Sequence, residues 1–481
     1  MSADLSAGVA RIDITPPVGF RMMGAMCRTE GSVGIESSLL ATALVLAVEG
    51  EGKVVLVDCD LIGFDIPLAD RIRQTIAARV DTTASCVIVG CTHTHNGPCT
   101  VRGSLGGVHD VPIGDPTEPA RLDAYIENLV GQLAGIAEQA HSQRMPARIG
   151  GGSSEASVAI NREEIADDGR VLVGRNPDGT TDHGVDVVRV DDIDGNPIAA
   201  IIGYAAHPVV MGYNTYHLSQ DYPGVVRDIV EGVTGAVCLF FTGAAGNQAL
   251  LSFLQDDWGE KERMGGTVGG AAVKAFFEIE TRPHDVVRSV GASLADVAFY
   301  EKQFRQGPTH RLFMTASRRA TVPLQPLPSL ARAEADLKEA EATLAGLQAE
   351  GAPTIQTYPA QLVVRWAQGV FDKVKAGATS EEITFEITGL RIDDVALVAM
   401  PGEPFVEIGL GVKERSKANH TLFAGYCNGV VAYWPTAATV AQGGMSVEAA
   451  LKSYNIPTPP VAEAADIIVA AFGELLAELD L

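Results

Sequence analysis

Residues 53–95 read KVVLVDCDLIGFDIPLADRIRQTIAARVDTTASCVIVGCTHTH, and this stretch decides the class of fold. Two short apolar runs rich in valine and isoleucine flank a segment whose apolar residues have the spacing of a helix. Short apolar runs bounded by polar or turn residues are typical of buried strands. The stretch therefore predicts a strand, a helix and a second strand packed in layers.

The same alternation of strand-like and helical segments continues through the first 250 residues. It predicts an α/β fold of layered mixed β-sheets with flanking helices. The segments are the strand-like SSLLATALVLAVEG (37–50), VDVVRVDD (185–192), PIAAIIGYAAHP (197–208) and AVCLFFTGAAGN (236–247), and the helical RLDAYIENLVGQLAGIAEQAHSQ (121–143).

A later segment, ARAEADLKEAEATLAGLQAE at 331–350, is rich in alanine, glutamate and leucine and predicts an exposed amphipathic helix. The chain shows no internal repeat and no linker of flexible composition. We therefore expect residues 1–481 to form one large catalytic unit with a helical insertion or arm at about 320–380. An arm in a homo-oligomer is one alternative for that segment.

The charge balance limits the partners of this protein. It has 36 lysines and arginines against 60 aspartates and glutamates, a formal net charge of -24, which opposes binding to nucleic acid or to anionic membrane surfaces. No apolar run is long enough to span a membrane, and the amino terminus lacks a targeting pattern, so we expect a cytoplasmic protein. Seven cysteines without a C-x-x-C pair fit reduced thiols.

Two histidines one residue apart, His93 and His95, follow the second apolar run in CTHTHNGP. Residues two apart in a strand point to the same face, roughly 7 Å apart, so both side chains can reach one pocket. One can then bind a metal while the other meets a substrate. The alternative is that they are two polar residues at the end of a strand and bind no metal.

Two distant residues are candidate partners for His93. His207 ends the strand-like run IIGYAAHPVV, and Glu403 lies in the tight turn of PGEP, where Pro404 can start a helix. Zinc hydrolases commonly use three ligands drawn from histidine and carboxylate and leave one position to water. His207 alone is equally consistent with a hydrogen-bonded buried histidine. Three acidic residues are candidates to fix the histidine tautomers, with structural capping as the alternative: Asp58, Asp60 and Asp221.

Other catalytic patterns are missing from the sequence. It contains no H-E-x-x-H, no G-x-x-x-x-G-K-[ST] and no G-x-S-x-G. The glycine-rich TGAAGN at 242–247 lacks the lysine of a phosphate loop, so we expect a tight turn that lines a pocket.

Several segments, in order along the chain, resemble the catalytic domain of the neutral/alkaline non-lysosomal ceramidase family, zinc amidases that cleave the amide of ceramide. CTHTHNGP (91–98) is similar to T-H-T-H-S-G-P, the most specific motif of that family. The other similar segments are GVARIDITPPVGFRMMGA (8–25), KVVLVDCDLIG (53–63), NRE (161–163), YAAHPVVMG (204–212), PGEP (401–404) and NGVVAYWPT (428–436).

The resemblance implies a role for each matching residue. His93, His207 and Glu403 correspond to zinc ligands, and Tyr433 corresponds to a tyrosine that lies on the zinc. The resemblance also makes His95 a catalytic or substrate-contacting residue. The match of NRE places Arg162 near the substrate carbonyl.

The sequence also departs from the family pattern. The loop that the family writes G-D-V-S-P-N appears as TGAAGN, without a serine nucleophile. A second family tyrosine falls at or near Met445, so the contact of that phenol is expected to be lost or replaced. The chain ends at Leu481, and the C-terminal β-sandwich domain of the family is expected to be missing.

The expected activity is cleavage of an N-acyl amide by a Zn²⁺-activated water, with His95 transferring a proton and Arg162 and Tyr433 stabilising the oxyanion. The substrate is a small-molecule amide, either ceramide, with a role in lipid metabolism, or a small soluble amide. One alternative is a zinc esterase or lactonase, because the same water attacks esters. The other is a metal-stabilised binding protein without catalysis.

Overall fold

The computed structural model describes residues 4–24, 28–105, 115–289, 298–305 and 307–481, and so excludes Ala25 at the end of the first matching segment. The strands are β1 (Leu5–Asp13), β2 (Gly34–Ile35), β3 (Leu40–Val48), β4 (Gly52–Cys59), β5 (Val87–Cys91), β6 (Met145–Glu155), β7 (Ala159–Ile165), β8 (Val171–Asn176), β9 (Gly184–Asp192), β10 (Pro197–Tyr204), β11 (His217–Leu218), β12 (Val237–Thr242), β13 (Gln248–Leu250), β14 (His284–Ser289), β15 (Phe299–Phe304), β16 (Phe313–Pro323), β17 (Glu382–Ile392), β18 (Val395–Ala399), β19 (Glu403–Pro404), β20 (His420–Ala424) and β21 (Tyr433–Trp434). The helices are α1 (Ile66–Val80), α2 (Glu118–Ser142), α3 (Tyr222–Thr234), α4 (Trp258–Glu278), α5 (Leu330–Ala349), α6 (Thr354–Lys375), α7 (Val406–Arg415), α8 (Ala437–Gln442), α9 (Ala450–Ser453) and α10 (Ala464–Glu478).

The predicted strand, helix and strand of residues 53–95 are β4, α1 and β5, which confirms the α/β class. The side chain of Asp65 caps α1 by accepting from the backbone N–H of Leu68, and Asp81 ends the helix in a left-handed conformation. Strands β4 and β5 pair in parallel, with Cys59 opposite Cys91. The two strands therefore end side by side, and the polar residues that follow them are neighbours.

The largest sheet has eight strands in the order β12-β10-β9-β6-β1-β3-β4-β5. Its β4–β5 and β10–β12 pairs are parallel and the other neighbours antiparallel, so the sheet is mixed as expected. The half β12-β10-β9-β6 pairs with the half β1-β3-β4-β5 through a short contact, in which Ser6 and Ala7 of β1 lie opposite Pro146 and Met145 of β6.

The large sheet closes on itself, because its edge strand β12 lies against β4 and the end of β5 at the opposite edge. The backbone N–H of Phe240 on β12 donates to Asp58 on β4 at 2.9 Å, and the hydroxyl of Thr242 donates to the carbonyl of Thr92 at 2.7 Å. Side chains from both halves share one buried core with β17, β18 and β20. This closure brings the residues after β5 next to those after β10 and β12.

A second sheet has four strands in the order β16-β17-β18-β20, and the segment that follows its strand β18 contains Glu403. After β18 the chain turns at Gly402, whose φ of 84° is left-handed and where an added Cβ would lie 2.5 Å from the Trp434 indole nitrogen. The turn leads into β19, where Glu403 pairs with Tyr433 of β21. The helix expected at Pro404 begins at Val406, because Glu403 and Pro404 pair with β21 first.

The helical segment is a pair of packed helices, α5 and α6. Ser329 caps α5 by accepting from the backbone N–H of Arg332. Helix α6 is not part of an isolated arm, because the Trp366 indole donates to the carbonyl of Ile456 at 2.7 Å. That the segment is an insertion into one catalytic unit stays a prediction.

In the described part of the chain, no helix has the length and apolar character needed to cross a membrane.

Candidate metal centre

The first candidate ligand, His93, lies beyond the end of β5. The expectation that His93 and His95 share one face of a strand is wrong, because the strand ends at Cys91 and His93 adopts a left-handed φ of 67°. The backbone N–H of His93 donates to the carbonyl of Leu61 at 2.9 Å, which holds this turn. Its Nδ1 hydrogen bonds to the carbonyl of Ile62 at 2.6 Å, so Nε2 carries the free lone pair.

The second candidate, His207, follows β10 and has the same arrangement. Its Nδ1 hydrogen bonds to the carbonyl of Ala245 at 2.7 Å, and its backbone N–H donates to the carbonyl of Gln248 at 3.1 Å. Complete burial, together with the charge of Arg162, lowers the pKa of His207 to about 3. His207 is therefore neutral at physiological pH and presents Nε2 as an acceptor.

The third candidate, Glu403, is 2 % exposed. Its Oε2 lies 3.0 Å from Nε2 of His207 and 3.5 Å from Nε2 of His93. Burial by itself raises the pKa of this carboxyl, but His93 and His207 outweigh burial and hold the pKa well below its usual value. The Tyr454 hydroxyl donates to Oε1.

These three acceptor atoms fit a divalent cation. Both Nδ1 atoms hydrogen bond to backbone carbonyls, so each ring turns its Nε2 toward Oε2 of Glu403. Among the described residues, Oε2 has no hydrogen-bond partner although it is buried. Two imidazoles and one carboxylate, each oriented by a further hydrogen bond, form a donor set that suits zinc.

His95 is close to this centre but is held differently. Ligand nitrogens of His93, His95 and His207 lie within 4.8 Å of one another. Neither ring nitrogen of His95 has a hydrogen-bond partner in the described structure, although both are buried. Its ring packs on Gly24, where a Cβ would come within 2.4 Å of the imidazole.

The backbone next to His95 is fixed by a buried arginine. Arg28 is 2 % exposed and donates to the carbonyl of His95. The same guanidinium donates to the carbonyls of Gly212 and Tyr213, at 2.9 and 3.3 Å. Arg28 therefore links the loop of His95 to the loop that follows His207.

Arg162 and Tyr433 lie together beside the three acceptor atoms. Nη2 of Arg162 donates to the Tyr433 hydroxyl at 3.0 Å and lies 3.3 Å from Nε2 of His207. Nε and Nη2 also donate to the carbonyl of Gly246, at 3.1 and 2.8 Å. Burial raises the pKa of Tyr433 far above its usual value, so the phenol stays protonated.

The TGAAGN loop supports the centre and does not line the cavity, contrary to expectation. Its carbonyls hold His207 through Ala245 and Arg162 through Gly246. The Asn247 side chain accepts from the backbone N–H of Val406 at 2.9 Å, at the start of α7. The loop therefore contacts three separate parts of the chain, two through backbone carbonyls and one through the Asn247 side chain.

Two tyrosines of the site were missed by the sequence reasoning. The Tyr454 hydroxyl donates to Oε1 of Glu403, and the cavity is lined both by Tyr454 and by Met445, the position at or near which the second family tyrosine was expected. The ring of Tyr426 lies 4.3 Å from that of His93, and its hydroxyl lies 3.4 Å from Nδ1 of His207. The only sequence signal for either was its place after a strand or near the NGVVAYWPT match.

The three aspartates do not hold the histidines, so that candidate role is wrong and backbone carbonyls take it. Asp58 and Asp60 accept hydrogen bonds from the buried guanidinium of Arg227, at 2.9 and 2.8 Å. Asp221 caps α3 and accepts from the backbone N–H of Tyr222 at 2.7 Å. Structural capping, the alternative, describes Asp221, whereas Asp58 and Asp60 form a buried ion pair with Arg227.

The centre lies in the wall of a cavity of about 380 Å³. That volume is in the range of small-molecule sites. The polar part of the lining includes Arg21, Arg28, His93, His95, Arg162, Tyr213, Glu403, Tyr433, Ser453 and Tyr454. The apolar part includes Met22, Met23, Leu105, Val173, Tyr358 and Met445.

Comparison with known proteins supports the family resemblance. Residues 5–239 match the model of the neutral/alkaline non-lysosomal ceramidase N-terminal domain. Neutral ceramidase B of Dictyostelium discoideum is 26% identical over 247 residues, which cover 48% of this chain and only 32% of that relative. The resemblance predicted from the sequence is thus confirmed.

Two solved structures have a similar fold. The neutral ceramidase of Pseudomonas aeruginosa is 18% identical with a TM-score of 0.62, and the match covers 100% of this chain and 75% of that one. A ceramidase complexed with C2 is 17% identical with a TM-score of 0.65, covering 99% of this chain and 75% of that one. At these identities the likeness establishes the fold.

Proposed function

We propose that this protein is a zinc-dependent hydrolase that cleaves a linear N-acyl amide bond with a water molecule. One observation carries the proposal: Nε2 of His93, Nε2 of His207 and Oε2 of Glu403 converge at the wall of a cavity of small-molecule size. The family match supports an amide as the bond that is cleaved.

His93, His207 and Glu403 would hold the metal, with Tyr433 beside them. When bound, zinc supplies a water of lowered pKa and a Lewis acid for the substrate carbonyl. The chain prepares for the metal by fixing both Nδ1 atoms on carbonyls and Oε1 of Glu403 on the Tyr454 hydroxyl. These bonds hold the remaining lone pairs toward one point.

Arg162 and Tyr433 supply donors for the negative charge that develops on the carbonyl oxygen. The guanidinium is held by Gly246 and the phenol by Arg162, so both are oriented before the substrate enters. One such preorganised donor contributes about 3 to 4 kcal/mol to transition-state stabilisation.

His95 transfers the proton to the leaving nitrogen. Its ring lines the cavity, and burial together with the neighbouring His93 and His207 lowers its pKa well below the usual value. In its neutral form the ring has a lone pair that can take a proton from the attacking water and pass it to the amine. The absence of an anchor on Nδ1 in the described structure separates His95 from the two anchored ligand histidines. A group in this role is worth about 10² to 10⁴ in rate.

The experiment combines metal analysis with hydrolysis of paired amides and esters on one acyl scaffold. We expect one zinc per chain in the parent, loss of zinc and turnover in His93→Ala and Glu403→Gln, and retained zinc with slow turnover in His95→Gln. His310→Ala is the matched control, because His310 is equally buried and lies outside the site. Absence of zinc from the parent, or full amide turnover in Glu403→Gln, would overturn the proposal. Turnover of esters without amides would identify an esterase instead.

A further inference from the structure

We propose that Tyr358, on helix α6, determines the size of the apolar group that the substrate can carry. The inference rests on the proposed amidase function and adds a specificity residue to it. Tyr358 lies in the helical segment expected to be an insertion or arm, and far along the chain from the residues of the metal centre.

The position of Tyr358 defines its role. It is 4 % exposed, packs with Leu362 and lines the cavity that contains the metal centre. The polar residues next to Glu403 contact one another, and apolar side chains form a further part of the wall beside the buried guanidinium groups of Arg21 and Arg28. Tyr358 is the large rigid side chain that α6 contributes to that wall.

Helix α6 is fixed to the other walls of the cavity. Arg365 donates to the carbonyl of Gly103 at 2.8 Å, two residues before the lining residue Leu105. The indole of Trp366 holds the carbonyl of Ile456, just after Tyr454. The backbone N–H of Leu105 donates to the carbonyl of Ser453, so the two loops that α6 contacts are also bonded to each other.

Because these contacts run through the helix and two loops, the wall has little freedom to move away from a longer substrate. A rigid aromatic side chain therefore limits the length of an apolar group more strictly than a flexible side chain would. Removing the ring opens space at the apolar part of the cavity and leaves the metal ligands in place. Each methylene group of the substrate that becomes buried in this added space increases apparent affinity or kcat/KM about fourfold.

The test compares the parent with Tyr358→Ala, Tyr358→Leu and Tyr358→Phe on para-nitroanilides of butyric, octanoic, dodecanoic and hexadecanoic acids. We expect the kcat/KM ratio of long to short chains to rise about tenfold or more in Tyr358→Ala and less in Tyr358→Leu. Tyr358→Phe keeps the parent profile because the ring remains. Tyr300→Ala is the control, since Tyr300 is 64 % exposed and distant in sequence from every lining residue.

Binding of the corresponding fatty acids, measured by calorimetry, separates the two proposals. If the parent cleaves no amide but the variants still shift the chain-length dependence of binding, the proposed function fails and the role of Tyr358 stands. An unchanged profile in the alanine and leucine variants would overturn the inference. Failure of both variants to fold would also overturn it, because Tyr358 would then be a structural residue.

Discussion

Replacing Gly246 by alanine tests how the serine-free loop holds the metal centre. A Cβ at this position would lie 2.6 Å from the carbonyl oxygen of Glu403 and 2.9 Å from that of Pro404. Both neighbours are backbone atoms, so they cannot rotate away as a side chain does. The backbone N–H of Gly246 also donates to Pro404 at 2.8 Å, and its carbonyl holds Arg162. The added methyl therefore separates the loop from Glu403 and disturbs Arg162.

The size of the effect follows from three contributions. Forcing an extra methyl into a packed site costs about 1 to 3 kcal/mol. For 481 residues the unfolding entropy is about 1 kcal/mol per kelvin, so Tm falls by only about 1 to 3 °C. Displacing residues that orient metal ligands weakens metal binding about 10- to 100-fold. Loss of one oriented oxyanion donor lowers kcat by about 10² to 10³.

The assay measures Tm, zinc affinity by competition with a chromophoric chelator, and kcat on one amide substrate. Gly232→Ala is the control, because a Cβ added to this exposed glycine of α3 would have no atom within 4 Å. It is expected to raise stability by about 0.5 to 1 kcal/mol and to leave zinc affinity unchanged. If Gly246→Ala matched the parent in both zinc affinity and kcat, the role assigned to this loop would be refuted.

Three further changes have defined outcomes. Tyr454→Phe removes the hydroxyl that donates to Glu403, so zinc affinity falls about 10- to 100-fold in chelator competition; unchanged affinity would remove Tyr454 from the site. Arg227→Met leaves Asp58 and Asp60 buried without their cation and lowers the unfolding free energy in urea by about 3 to 5 kcal/mol; a loss under about 1 kcal/mol, typical of a surface pair, would contradict this. When zinc is present at a thousandfold excess over its Kd, adding a chelator lowers the free energy of unfolding by about 4 kcal/mol and Tm by about 4 °C, and restoring zinc reverses both changes. A Tm that does not change on chelation would argue against a resident metal.

The proposed ligands were indicated by local features of the sequence, and their role as ligands stays a prediction. His93, His207 and Glu403 each stand at a strand end or turn, with residue types that bind metal, and the family motifs mark the same positions. Their convergence could not be read from the sequence. It depends on the folding back of β12 on β4 and on the pairing of β19 with β21, which are contacts between distant segments.

The parts that sequence reasoning missed depend on backbone geometry. The left-handed turn at His93 is set by a hydrogen bond to the segment just after β4. The rule that alternate residues of a strand share one face therefore does not apply to His93 and His95. The carbonyls that orient both ligand histidines have no side-chain signature. Tyr454 was missed because no motif marks it and its contact with Glu403 joins residues 51 positions apart.

The helical segment shows the same limit. Its amphipathic pattern predicted α5, but the pattern could not say which surface α6 covers. That surface is decided by single contacts, such as the indole of Trp366 on the carbonyl of Ile456, between residues ninety positions apart. A segment that reads as an exposed arm thus supplies Tyr358 to the cavity.

X-ray absorption at the zinc edge of the purified protein, together with metal content per chain, tests the central claim most directly. We expect one zinc per chain with two imidazole ligands and oxygen donors, loss of the zinc signal in His93→Ala, and an unchanged two-imidazole spectrum in His95→Gln. A protein without zinc, or a spectrum with three imidazoles that loses one in His95→Gln, would contradict the assignment of His93, His207 and Glu403 as the ligand set.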